Sequence, residues 1–80
     1  MSVKLYSTPS CAYCNMIKNY FNERHVKYTE YNVENDSKKL EELVHKTRQT
    51  SVPVVDFDGS IILGFDRNRL DRLINNAKRG

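Results

Sequence analysis

Val3-Lys4-Leu5-Tyr6-Ser7-Thr8-Pro9-Ser10-Cys11-Ala12-Tyr13-Cys14-Asn15-Met16-Ile17-Lys18-Asn19-Tyr20-Phe21 is the stretch that decides how the rest of the chain reads. Val3-Lys4-Leu5-Tyr6 has the character of a short strand, and Ser7-Thr8-Pro9-Ser10 is a turn signal. From Cys11 to about Arg24 the pattern is helical, with Met16, Ile17, Tyr20 and Phe21 assigned to one face. The two cysteines of the chain therefore stand together at a strand-to-helix junction. Positions i and i+3 of a helix lie roughly 5–6 Å apart, within the Cα separation a disulfide needs. Such a pair opens and closes with little backbone movement. A bridge across so short a loop adds little stability, which argues for a reagent and against a staple. Cys11 sits where unpaired N–H groups and the helix dipole favour an anion, so its thiolate is expected to be stabilised and its pKa lowered. Cys14 lies one turn inside and is expected to be more buried, with the higher pKa. That asymmetry makes Cys11 the thiol that attacks a disulfide and Cys14 the one that resolves the mixed disulfide.

Working outward, Tyr28 to Val33 is rich in aromatic and β-branched residues and reads as a second strand. Asn35-Asp36-Ser37 can cap a second helix, whose core face would be Leu40, Leu43 and Val44. Pro53-Val54-Val55-Asp56-Phe57 and Ser60-Ile61-Ile62-Leu63 flank Asp58-Gly59, a strong hairpin signal. Gly64 ends the second arm. Asp66 is the expected N-cap of a last helix, with Phe65 and Leu70 at the positions of a hydrophobic staple and Leu70, Leu73, Ile74 and Ala77 facing the core. The order is β-α-β-α-β-β-α in one domain, residues 1–80. A right-handed βαβ unit followed by a hairpin predicts a mixed four-stranded sheet with helices on both faces, an α/β architecture.

Composition narrows the function classes. The 80 residues carry 13 Lys and Arg against 10 Asp and Glu, a net charge of +3 with both signs interspersed. A nucleic-acid reader would gather its charge into a stripe, so no nucleic-acid partner is expected. Much of the excess lies in Lys78-Arg79, where cations complement a helix C-terminus. No run is long and apolar enough to span a membrane, and the first residues read as a strand, so the expected location is cytoplasmic. A secreted scaffold held by disulfides usually carries four or more cysteines spread along the chain. Half of a metal site is the second reading of Cys11 and Cys14, but no other cysteine pair exists and His25 and His45 fall on other elements. Both histidines read as solvated helix residues, and Tyr6, Tyr20, Tyr28 and Tyr31 as packing. Tyr13 fits either the core or the lip of the site. Val52-Pro53 reads, on its own, as a proline tolerated at the first residue of a strand.

Leu5-Tyr6-Ser7-Thr8-Pro9-Ser10-Cys11-Ala12-Tyr13-Cys14, Thr50-Ser51-Val52-Pro53, Asp58-Gly59 and Gly64-Phe65-Asp66 resemble the glutaredoxin family in order and spacing across essentially the whole chain. The short bacterial glutaredoxin-like redoxins are the nearer likeness, through the Pro-Val-Val strand and the Gly-Phe pair. The resemblance implies a thioredoxin-like fold and a thiol–disulfide oxidoreductase that carries electrons to protein disulfides, working as a monomer with no bound cofactor or metal. It implies that Pro53 is cis and faces the cysteines, and that Val52 offers backbone hydrogen bonds to a bound thiol substrate. Tyr13, Gln49, Gly64, Phe65 and Asp66 would complete a groove for glutathione as co-substrate or for a partner. Ala12, Leu63 and Arg67 depart from the family's proline, glycine and aspartate. Thr8 stands where many members have a lysine that pairs with a glutathione carboxylate. These departures leave two reductants in view, glutathione and a flavoprotein of the thioredoxin-reductase type. The rival function is an iron–sulfur carrier in which two chains share a cluster through Cys11.

Overall fold

The structure, a computed structural model, describes residues 2–79, with side chains for residues 2–77. The expected order is found: β1 (Val3–Ser7), α1 (Ala12–Glu23), β2 (Thr29–Asn32), α2 (Ser37–Thr47), β3 (Val54–Phe57), β4 (Ser60–Leu63) and α3 (Arg67–Arg79). The strands lie in the order β2-β1-β3-β4. β1 and β2 run parallel, with Leu5 opposite Glu30, while β1/β3 and β3/β4 are antiparallel. This is the thioredoxin-like α/β arrangement.

Strand alternation sends Val3 and Leu5 of β1, Val55 and Phe57 of β3 and Ile62 of β4 to one face. There they meet Ile17, Tyr20 and Phe21 of α1 and Leu70 and Ile74 of α3 in one core cluster. Tyr6 and Val54 point the other way, into a smaller cluster with Leu43 of α2 and Val33. Leu5, Ile17, Phe21, Leu43, Ile62 and Leu70 are fully buried. Each such side chain contributes roughly 1.5–3 kcal/mol by leaving water. Two helices thus cover one face and α2 alone covers the other.

The path of α2 follows from the topology. β2 ends and β3 begins at the same pole of the sheet, because β1 is parallel to β2 and antiparallel to β3. A helix joining these two ends must run across the strands and not along them.

Several core assignments are corrected. Met16 is 47% exposed, since the buried stripe of α1 is Cys14, Ile17, Tyr20 and Phe21, and Met16 lies about 100° round the helix from Ile17. Val44 is 36% exposed because α2 has no neighbouring helix to cover its flank. Ala77 stays on the stripe of Leu70 and Ile74 but is exposed, so the core no longer lies beneath the last turn of α3. The side chains of Lys78 and Arg79, expected to complement that helix end, lie outside the described residues.

His25 is not helical. It takes a left-handed conformation (φ 55°) just past α1, where Val26 N–H bonds to Phe21 O (2.9 Å) and His25 N–H to Asn22 O (3.2 Å). These two bonds form a Schellman end, a place that favours glycine. β2 is shorter than the expected Tyr28–Val33 run. Tyr28 instead packs on the larger core, and Val33 N–H bonds to Ser7 O at 3.0 Å.

Candidate active site

Cys11 is the N-cap of α1, in an extended conformation (φ −86°, ψ 108°), and its Sγ accepts the N–H of Cys14 at 3.1 Å. The preceding turn is closed by Cys11 N–H on Thr8 O at 3.2 Å. Cys11 and Cys14 form a disulfide with their Cα atoms 5.2 Å apart. Cys14 is 0% exposed and packs with the buried stripe of α1, whereas Cys11 is half-buried. Of the two cysteines, Cys11 is therefore the one open to a molecule arriving from solvent. The first turn of α1 holds no acidic side chain to compete for the positive end of the helix.

The sheet brings the other sequence motifs to the same pole. Tyr6 pairs with Val54, so the chain leaving β1 toward Cys11 lies beside the chain entering β3 through Pro53. The Val52-Pro53 peptide bond is cis, Val52 is half-buried and Pro53 is buried. Val54 pairs with Leu63, and Gly64 N–H extends the ladder onto Pro53 O at 2.9 Å. Gly64 has φ +74° with open space where a Cβ would stand, so its backbone and not crowding calls for glycine. Phe65 is half-buried and meets the Tyr20 ring edge-on at 5.8 Å, which commits much of its surface to the core. Asp66 caps α3, its carboxylate accepting Arg69 N–H at 3.2 Å. Tyr13 is 61% exposed, a lip residue and not a core one. Gln49 is half-buried in the loop between α2 and Pro53, where its N–H reaches Thr47 Oγ1 at 3.3 Å.

Two polar clusters escaped the sequence reading. On the α1 face, buried Ser7 donates to Glu30 (2.7 Å), which also pairs with Lys18 (3.0 Å). The Ser7 hydroxyl, then Lys18, hold the Glu30 carboxyl below its ordinary range against the opposing effect of burial. On the α2 face, the Tyr6 hydroxyl donates to Glu42 (2.7 Å) and accepts from Lys46 (2.8 Å), and Lys46 also donates to Asp56 (2.7 Å). Hydrogen bonds from Tyr6 and Lys39 pull Glu42 down to about 2. Burial works against the charge on Lys46, but its bonds to Asp56 and Tyr6 prevail and raise its pKa. The Asp56 carboxyl is lowered, as Lys46 and the Gly59 N–H outweigh burial. Two signals for this second cluster were present in the sequence: a lone acid in the apolar run Val54-Val55-Asp56-Phe57, and Lys39, Glu42 and Lys46 spaced along one side of a helix. Tyr6 and Tyr20 pack as expected, and Tyr20 also bonds Asp71 through its hydroxyl, its pKa raised by burial and by that carboxylate to about 12. Among the described residues no group of three or more His, Cys, Asp or Glu side chains is placed to hold a metal ion, and no helix is long and apolar enough to cross a membrane.

A redox-capable cysteine pair at the head of a helix, with a cis-proline entering the neighbouring strand, defines a protein of the thioredoxin-fold thiol–disulfide class. Within that class the chain belongs to the glutaredoxin family, whose family model matches residues 3–62. It is 39% identical over 72 residues to an uncharacterized glutaredoxin-like 8.6 kDa protein in the rubredoxin operon of Clostridium pasteurianum, covering 90% of this chain and 96% of that one. The crystal structure of the thioredoxin-like protein BC3987 superposes with a TM-score of 0.85 at 28% identity, covering 90% of this chain and 99% of that one. The glutaredoxin-like protein NrdH-redoxin from Escherichia coli has the same fold, with a TM-score of 0.82 at 23% identity over 91% of this chain and 95% of that one.

Proposed function

We propose that this protein is a dithiol electron carrier that reduces protein disulfides. The Cys11 thiolate attacks one sulfur of a substrate disulfide, forming a Cys11–substrate mixed disulfide and expelling the other sulfur as thiolate. Cys14, as its thiolate, then attacks Cys11 Sγ, closing the Cys11–Cys14 disulfide and releasing the second substrate thiolate. Two electrons pass to the substrate, which takes up two protons, and a two-electron donor restores the dithiol. The observation that carries this reading is the unequal setting of the pair: Cys11 is half-buried at the helix cap, and Cys14 lies wholly buried one turn behind it.

Val52, Pro53, Gln49, Tyr13, Gly64, Phe65 and Asp66 form the groove that takes the substrate chain. Thr8, Leu63 and Arg67 remove features that suit glutathione, and Arg67 sets a cation where the glutathione ammonium would lie. A flavoprotein reductase is accordingly the better donor and glutathione the slower one. The protein works as a cytoplasmic monomer. Cys11→Ser should abolish disulfide reduction, while Cys14→Ser should accumulate mixed disulfides visible by mass spectrometry under non-reducing conditions. If Cys14 proves the faster thiol toward iodoacetamide in the single variants, the roles are assigned the wrong way round.

A further inference from the structure

As α2 crosses the sheet, its side chains visit the strands in turn. Lys39 Nζ lies 4.1 Å over the Tyr31 ring on β2, Glu42 accepts from Tyr6 on β1, and Lys46 reaches Asp56 on β3. Lys46 is thus the tie between the end of α2 and the strand that Pro53 opens. It thereby links the elements at the two ends of the intervening loop, residues 48–53. Asp56 is anchored in turn, since its other oxygen accepts Gly59 N–H at 2.8 Å.

The residue after Lys46 works on the loop itself. Arg48 turns the chain in a left-handed conformation (φ 62°), and its N–H caps Val44 O at 2.7 Å. That leaves the next N–H, of Gln49, without a helical partner. Thr47 Oγ1 accepts it at 3.3 Å and stands 2.8 Å from Leu43 O and 3.0 Å from Gln49 O. A hydroxyl has one proton to donate, so it serves one of these two carbonyls while accepting from Gln49. Either way, the hydroxyl ties the backbone of Gln49, the second residue past α2, to the end of that helix.

We infer that Lys46 and Thr47, neither of which touches the cysteines, are positioning residues for substrate recognition: through Asp56 and Gln49 they hold the Gln49–Pro53 segment in register with the cysteine pair. The inference rests on the thiol–disulfide reading above. Its consequence is a split. Loss of either tie loosens the segment that binds a substrate chain and leaves the thiol chemistry at Cys11 unchanged.

Insulin disulfides serve as the polypeptide substrate, with dithiothreitol as reductant, and 5,5′-dithiobis(2-nitrobenzoate) as a small disulfide with no backbone to bind. Thr47→Val, which keeps the shape and removes the hydroxyl, should raise KM for insulin roughly two- to tenfold, the range of one lost hydrogen bond, with kcat and the small-disulfide rate unchanged. Thr47→Ser should restore the wild-type KM. Lys46→Met combined with Asp56→Leu removes the second tie without stranding a buried charge, and should raise KM to a similar degree. Unchanged insulin KM in folded Thr47→Val and in the double variant overturns the inference, as does equal impairment by Thr47→Ser and Thr47→Val. A parallel fall in the small-disulfide rate overturns it too, because the damage would then be general. A wild-type protein that reduces neither disulfide sinks the thiol reading, and this inference with it.

Discussion

Replacing Ala12 tests whether the head of α1 controls the reactivity of Cys11. Ala12 is the first residue of α1 and exposed, adjoining a cap residue whose sulfur accepts a backbone N–H, in a first turn free of acidic side chains. Ala12→Glu would set a carboxylate beside the thiolate without disturbing the core. At roughly 7 Å, two unit charges interact by about 0.6 kcal/mol in water and about 2.4 kcal/mol at an effective dielectric constant of 20. Cys11 is half-buried, so the penalty should fall between those limits, near about 1 kcal/mol, or roughly a fivefold loss of thiolate at a pH below the thiol's midpoint. Ala12→Lys should act in the opposite sense by a similar factor, and Ala12→Gln should stay near wild type. The assay is the rate of iodoacetamide alkylation against pH in a Cys14→Ser background, where Cys11 is the only thiol. Low salt sharpens the contrast, because screening weakens both effects. Equal rates for the glutamate and lysine variants, or a faster glutamate variant, would refute control of this thiol by local charge at the helix terminus.

Thr8→Lys with Arg67→Asp restores two charges suited to glutathione, and should raise glutathione-dependent turnover several-fold in a coupled assay with glutathione reductase. A double variant no better than wild type would make those departures irrelevant. Glu42, held at about 2 by Tyr6 and Lys39, links stability to acid. Its folded pKa lies below the unfolded value, so its stabilisation is present above about pH 4.3 and is lost as the pH falls toward 2. With Glu42 partly exposed, the loss attached to this group should be on the order of 1 kcal/mol, read as a smaller acid dependence of the urea midpoint in Glu42→Gln. His25→Gly relieves a left-handed position at the end of α1 and should stabilise the fold by about 0.5–1 kcal/mol, read as a higher Tm.

Local chemistry made much of this protein legible from the residues alone. A disulfide pair three residues apart, a cap at a helix start and an Asp-Gly hairpin depend on neighbours in sequence, and each appears where the chain predicts it. Helix burial was legible only in part. The period of Ile17, Tyr20 and Phe21 finds the inward stripe of α1, but whether its flank at Met16 is covered depends on what lies beside the helix. The same holds for Val44 on α2. Tertiary structure alone decides which distant groups meet. Tyr6, Glu42, Lys46 and Asp56 come together because α2 must cross the sheet, a consequence of two strands beginning and ending at one pole. The Val52-Pro53 bond shows the boundary. Sequence statistics favour trans for such a bond, yet it is cis in the fold. Pro53 stands between β1 and Gly64 because of strand pairing across 47 residues on one side (Tyr6 with Val54) and a hairpin on the other. Which segments flank Pro53 is thus set by pairing between strands far apart in the chain, beyond the reach of any local preference.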